Sequence, residues 1–565
     1  MASVVRQASV RPFATHHTPE QTRAWNQHFS TWLHEGKSVL PHTIVEGGLT
    51  EAPGALMPMP AGRYAGGVVV RAARDRKGHT MPTPQPTEEL GALLSQPLRW
   101  SPSDTEEGLE LASVEVPLDY ADPGGRRISI AVSRRRAADP ARRRGVLLSV
   151  HGGPGGDNGH GRMMPVELHR TTPLNEVYDL IGFDPRGTGA STRLDGEDTP
   201  ARAVFDSRPP DSAFALLTED MRAREEGCRR AGGELRRHVS TRNTARDMDL
   251  LRAVLGEERI NFVGYAYGTL VGAVYGTMFP ARLDRSVLDS SVHPGWDWRR
   301  QFMAQALAVR ENVDAWAAWA GERNGRYGLG TDAAQVLASV EETASLLAAR
   351  TPDASLRTSF DGIMGTLAPL RPRWDVLALL VGDLHKAAAS GSTEQARELL
   401  AGQSAWRPGS AAGQVREAVL EAVTCETDWP ADLEVYYRDM RRFRDECPYG
   451  YGVLRAQPWV GTFRSFTPAE EATRVRREGY PAGLVVQADG DPLDHHEGAT
   501  AMAERLGHRL VLVTDSGAHE IYGFGGNALV DEHVNRYLLE GVLPGGTVRC
   551  PGDPRPDVPP DAEAV

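Results

Sequence analysis

The stretch Ile260-Asn261-Phe262-Val263-Gly264-Tyr265-Ala266-Tyr267-Gly268-Thr269 sets glycines two residues either side of position 266, between an apolar run and a helical pattern. A strand that turns sharply into a helix exposes the turning residue at the helix N-terminus, and flanking glycines allow the close backbone approach such a turn demands. A serine at the turn, next to a base, would be a nucleophile for acyl transfer. The residue present is Ala266, whose methyl group offers no such chemistry. Downstream, Asp491 in Gln487-Ala488-Asp489-Gly490-Asp491-Pro492 follows an apolar run at 484–487, and His519 in Ser516-Gly517-Ala518-His519 follows another at 510–513. An acid and then a histidine after the last strands is the order in which an orienting carboxylate and a general base accompany this kind of turn. Asp489 and Asp494 compete for the role of acid, and His495 and His496 for that of base. Upstream, His151-Gly152-Gly153-Pro154-Gly155-Gly156 is a loop whose N–H groups could hold an oxyanion. The segment from Gly182 through Phe183-Asp184-Pro185-Arg186-Gly187 to Ser191 reads as a structural turn beside the site.

Short apolar runs at 146–150, 180–183, 260–263, 286–288, 484–487 and 510–513 alternate with helical patterns, which predicts a mostly parallel sheet covered by helices. A hairpin precedes them. Ala112, Val114, Val116 and Leu118 alternate with polar or small residues, the chain turns at Asp122-Pro123-Gly124-Gly125, and Ile128, Ile130 and Val132 resume the pattern. Met248, Leu251, Val254 and Leu255 sit at helical spacing between 243 and 255, with Gly256 placed to end that helix. Between 294 and 480 the strand signals give way to Ala/Leu/Arg-rich, Trp-containing helical patterns, the mark of a helical insertion between the strand near 286–292 and the strand near 484–488. The expected divisions are an N-terminal extension with a Pro/Thr-rich linker (1–95, linker 80–87), a first core segment (96–293), the insertion (294–480), a second core segment (481–548) and a tail (549–565).

At 565 residues the chain is long enough for a large enzyme core with added units. Its 75 acidic against 63 basic residues give a net charge of −12, which disfavours nucleic acid and anionic membrane as partners. The basic runs at 134–136 and 142–144 read as solvated loop charge. No window approaches ~20 consecutive apolar residues, and the first thirty residues hold polar and His residues where a secretory signal needs an apolar stretch, so a cytoplasmic location is expected, or a secreted one if a signal has been removed. Cys228, Cys425, Cys447 and Cys550 are too few and too scattered for a zinc site or a disulfide scaffold, with one or two bridges left open. The His495-His496 pair has no metal partner at suitable spacing and reads as a surface or lid contact.

Together with Val116-Pro117-Leu118-Asp119-Tyr120 and Thr244-Ala245-Arg246-Asp247-Met248-Asp249, these motifs resemble the S33 peptidase family of actinobacterial tripeptidyl aminopeptidases and their proline iminopeptidase relatives, over about residues 97–550. The resemblance implies an α/β-hydrolase fold with the insertion as a lid, no cofactor and no metal, and a peptide or small-molecule substrate. It further implies that position 266 is the seat of the nucleophile, His519 the general base, Asp491 its orienter, and the N–H groups of Gly153 and Tyr267 the oxyanion hole. In such aminopeptidases acidic lid residues hold the substrate's α-ammonium, and Glu426 and Asp428 are the candidates here.

Ala266 admits two explanations: a deliberate serine-to-alanine change that traps substrate, or a natural loss of the nucleophile. The otherwise complete constellation favours the first, a serine hydrolase shorn of its oxygen. Under the second, His519 and Asp491 would do acid/base work on a biosynthetic intermediate, and a non-catalytic binding protein is a third possibility.

Overall fold

The computed structural model describes residues 88–155, 160–197, 199–352, 354–403 and 418–563, and two further strands within residues 1–86. The chain divides into two compact units, residues 1–86 and 87–565. In the first, His42–Glu46 and Gly67–Arg71 pair in parallel, with His42 opposite Gly67. The linker expected at 80–87 lies outside the described residues.

The second unit is built on a ten-stranded sheet. Its strands are β1 (Ser101–Pro102), β2 (Leu109–Pro117), β3 (Arg127–Arg135), β4 (Val146–Val150), β5 (Asp179–Phe183), β6 (Ile260–Tyr265), β7 (Leu283–Asp289), β8 (Leu484–Ala488), β9 (Arg509–Thr514) and β10 (Val548–Pro551). They lie in the order β10-β9-β8-β7-β6-β4-β5-β3-β2-β1. From β10 to β5 neighbours are parallel, and β5, β3, β2 and β1 pair antiparallel. β4 and β6 are buried along their whole length. That is why they read as continuous apolar runs, and each large side chain they bury contributes roughly 1.5–3 kcal/mol.

Three helices set the frame of the site. α1 (Thr241–Val254) begins two residues earlier than the apolar spacing predicts, because Ser240 caps it by accepting from the Asn243 N–H. Gly256, at φ 77°, closes its far end as expected. α2 (Tyr267–Met278) follows β6, and α3 (Trp298–Gly321) opens the insertion. The insertion has its own core around Trp316, Trp319 and Trp374.

Two boundaries and one helix differ from expectation. The helix Glu88–Leu94 belongs to the second unit, since Leu93 is buried in the main core. The tail begins after β10, which pairs with β9 and extends the sheet. The helix Asp211–Gly232, unforeseen, packs Phe214 with Ala306, Met440 and Phe443 of the insertion. All four cysteines are buried and free. Of the basic runs, Arg134 lies in β3 rather than a loop and pairs with Glu110, while Arg142 and Arg143 pair with Asp139 and Asp179. No helix among the described residues is long and apolar enough to cross a membrane.

Candidate active site

Ala266 stands between β6 and α2 at φ 48°, ψ −119°, a conformation L-residues rarely adopt. It is held from both sides. Its N–H donates to the Asp289 carbonyl at 2.9 Å, and its own carbonyl accepts from Thr269 N–H and Oγ1 at 2.9 and 2.6 Å. The flanking glycines are required by contact. A Cβ on Gly264 would come within 2.5 Å of the Gly268 carbonyl oxygen, and one on Gly268 would land on the Val150 carbonyl. Tyr267 is the first residue of α2, so its N–H has no acceptor within the helix. The oxyanion-type loop lies against the elbow. The residue in contact is Gly152, where a Cβ would fall 2.8 Å from the Ala266 methyl, while Gly153 next to it turns at φ 126°.

Asp491 and His519 are brought together. His519 Nδ1 lies 3.0 and 2.9 Å from the two Asp491 carboxylate oxygens, with the Asp491 side chain fully buried. Asp491 is itself fixed by the N–H groups of Leu493 and Asp494 at 2.9 and 3.0 Å. Acceptance at Asp491 places a proton on Nδ1, and Nε2 lies 4.0 Å from Glu520. Burial works against the charged imidazole, but the charge of Asp491 and its hydrogen bond, with Asp494 and Glu520 behind them, outweigh it and push His519 up to about 10.

The rival residues have other tasks. Asp489 accepts from the N–H groups of Asp515 and Ser516, bracing the loop after β9. Asp494 is buried, accepts from Gln301 of α3 at 2.7 Å, and is pushed up by burial and by the charge of Asp491. His495 accepts at Nδ1 from Glu497 N–H and turns Nε2 toward Glu311 of α3 at 3.3 Å. Glu311, His495 and His496 bring three potential metal-ligand atoms within 4.8 Å of one another. The pair therefore has a carboxylate partner that linear spacing concealed, 184 residues from His495.

Sequence reasoning missed three residues around His519. Asp289, at the end of β7, accepts from Ile521 N–H at 3.1 Å and Tyr522 N–H at 2.6 Å, and burial pushes it up to about 6. Ser290 Oγ accepts from Glu520 N–H at 2.8 Å. Glu520 in turn lies 3.2 Å from His151 Nε2 and 4.0 Å from His519 Nε2. The readable signals were a lone acid ending a buried strand before two serines, and an acid directly after the candidate base.

A cavity of about 440 Å³ opens between the insertion and the core, lined by Thr241, Leu270, Trp296, Trp298 and Glu426 among others. Ala266, Asp491 and His519 do not line it. Glu426 connects the two regions, because Thr241 Oγ1 lies 2.8 Å from Glu426 Oε1 and 2.9 Å from the Tyr267 hydroxyl. Burial pushes Glu426 up to about 7. Asp428 is not part of this cavity. Its side chain is 97% exposed and meets Arg464 at 3.3 Å, away from the cavity that Glu426 lines.

The remaining motifs are structural. Arg186 is fully buried and donates to Asp247 at 2.7 and 2.6 Å and to the carbonyls of Pro117, Leu118 and His238. It ties β2, the turn after β5 and α1 into one frame. Losing one partner of such a pair costs about 3–5 kcal/mol.

The alpha/beta hydrolase fold family matches residues 145–525, a span from β4 to beyond His519. The tripeptidyl aminopeptidase of Streptomyces lividans is 30% identical over 471 residues, covering 79% of this chain and 85% of its own. Serine protease Hip1 of Mycobacterium tuberculosis is 26% identical over 492 residues, covering 81% and 91%. Among solved structures, the proline iminopeptidase-related protein of Thermus thermophilus is 13% identical, with 79% of this chain and 99% of that chain covered at a TM-score of 0.31. With its elbow, its aspartate–histidine pair, the family match and the Streptomyces and Mycobacterium relatives, the chain belongs to the α/β-hydrolase fold family, among hydrolytic enzymes of the S33 tripeptidyl aminopeptidase type.

Proposed function

We propose that the site is the apparatus of an aminopeptidase-like serine hydrolase, which cleaves an amide or ester through an acyl-enzyme, in a form whose covalent step is blocked at Ala266. The observation that carries this reading is the Asp491–His519 pair, at 2.9 and 3.0 Å, retained together with an elbow at φ 48° whose neighbour Gly152 also lies against Glu520, the residue after His519. With a hydroxyl at position 266, its oxygen would attack the carbonyl carbon while its proton passes to His519 Nε2. The N–H groups of Tyr267 and Gly153 would hold the oxyanion. Collapse would break the bond to the leaving amine or alcohol, which takes the proton from Nε2, and water would repeat the sequence to free the acid. Asp491 keeps Nδ1 protonated throughout. Glu426, on the cavity wall, would receive the free amino terminus of the substrate.

The test is Ala266→Ser, assayed on peptide p-nitroanilides and esters from neutral to alkaline pH. Turnover should rise by up to about 10⁶-fold over the chain with alanine, with an acyl-enzyme burst. A folded Ala266→Ser protein inert toward every substrate at every pH would sink the reading.

Glu520 favours a second reading, because it sets another carboxylate toward the same imidazole. Here the chain with alanine moves protons on a bound substrate through His519, and the loop N–H groups hold an enolate or alkoxide. Turnover of a candidate metabolite by the unaltered chain, abolished in His519→Ala, would support it. Turnover that persists in His519→Ala would exclude it.

A further inference from the structure

Glu520 sits at φ 57°, a region glycine enters freely and a long side chain occupies only when its surroundings hold it. Those surroundings are specific. Its N–H is fixed on Ser290 Oγ, one carboxylate oxygen lies 3.2 Å from His151 Nε2, and the other lies 4.0 Å from His519 Nε2. His151, Glu520, His519 and Asp491 thus form a row in which acids and imidazoles alternate. Asp491 is hydrogen-bonded to His519 Nδ1, and Glu520 lies 4.0 Å from Nε2, the nitrogen that must accept a proton if the histidine is to act as a base.

The charges that act most strongly on His519 are all carboxylates. Asp494 lies beside Asp491, and Asp289 lies beneath the loop at the end of β7. His151 is the only basic group in the row besides His519, and it stands beyond Glu520, with Glu167 acting on it in turn. A Cβ on Gly152 would also meet Glu520 Oε1 at 3.2 Å. The carboxylate therefore stands at the junction of oxyanion loop and elbow, where negative charge opposes a tetrahedral oxyanion.

We propose that Glu520 is a positioning residue that holds His519 as the imidazolium, so that at neutral pH the site donates a proton through Nε2 and does not accept one. Ala266 is then one of two barriers to acyl transfer, and Glu520 is the second. The inference rests on the acyl-transfer reading given above. The upward displacement of His519 to about 10 agrees with the geometry.

Two measurements test it. In the first, kcat/KM is followed against pH for Ala266→Ser alone and combined with Glu520→Gln or with Glu520→Gly, the last suited to the positive φ should glutamine disturb the fold. The single variant should gain activity only toward alkaline pH. Removing the carboxylate should lower the midpoint by ~1 unit or more and raise the neutral-pH rate by about tenfold. In the second, the His519 ring is titrated by NMR in the unaltered chain and in Glu520→Gln, with His519→Asn to assign the signal, and the same fall is expected without any substrate. Equal midpoints with and without Glu520 would overturn the inference, and an active Ala266→Ser whose profile ignores Glu520 would do so while leaving acyl transfer intact. If every variant is inert yet the ring midpoint falls, acyl transfer is refuted, and with it Glu520 as a barrier to it, while the control of the His519 charge by Glu520 stands.

Discussion

The elbow half and the histidine half of this site are built by different means. The elbow takes its shape from backbone and sterics: Gly264 and Gly268 pass where no Cβ fits, and Ala266 is held by hydrogen bonds to the Asp289 carbonyl and from the N–H and hydroxyl of Thr269. The histidine half takes its shape from side chains. Asp289, Ser290 and Tyr265 hold residues 520–522 through backbone groups, and Asp491 holds the ring. The consequence is that position 266 can lose its oxygen without losing its geometry, since no contact that shapes the turn passes through a hydroxyl there. The histidine half responds instead to charge, so single carboxylates and pH can reset it.

The strongest way to break this contrast is Gly268→Ala. Its methyl would be driven onto the Val150 carbonyl, at a point where β4 and α2 already touch. A loss of about 3 kcal/mol or more is expected in denaturant unfolding, and equally whether position 266 holds alanine or serine. A change within ~0.5 kcal/mol, the range of an ordinary surface substitution, would show that the elbow is not fixed by its backbone.

The same contrast governs what the sequence discloses. β4 reads to its very ends, and the elbow, α1 and the insertion are all legible, because each depends on local pattern: a buried run, a glycine pair, a helical stripe. Asp491 and His519 follow from chain order. What stayed hidden depends on meetings across the fold. Glu520 gains its meaning from Ser290 and His151, and His495 from Glu311, far away in the chain. The helix Asp211–Gly232 buries Phe214, Thr218, Met221, Glu225 and Cys228 on one face, but the threonine and glutamate in that stripe mask its periodicity. Asp428, a candidate only through the resemblance, carries an exposed side chain paired with Arg464, apart from the cavity that Glu426 lines.

Asp289→Asn sharpens the histidine half. The amide would turn a donor toward the N–H groups of Ile521 or Tyr522, at a cost of about 1–3 kcal/mol. In the Ala266→Ser background kcat should fall with little change in KM, because the loop carrying the base loosens while the cavity is untouched. The sign of the pH dependence follows from burial. The Asp289 carboxyl titrates near 6 in the folded chain against 3.8 ordinarily, so the fold binds the proton more tightly and loses stability as pH rises through that window. Asp289→Asn should remove that slope from stability measured between these pH values, and an unchanged slope would assign it to another group.

Glu426→Gln is expected to have the smallest effect, and it separates recognition from both halves. Glu426 touches neither His519 nor Ala266 and reaches the elbow only through Thr241 and the Tyr267 hydroxyl. Its loss should weaken binding of free-amine peptides to the unaltered chain by about tenfold, the worth of one charge-assisted hydrogen bond, and leave N-acylated peptides unaffected. Calorimetry measures both without turnover. Because burial holds Glu426 near 7, the preference for the free amine should fade as pH drops below that value and the carboxylate takes up its proton. A preference that survives Glu426→Gln, or that ignores pH across neutrality, would place amine recognition elsewhere in the cavity.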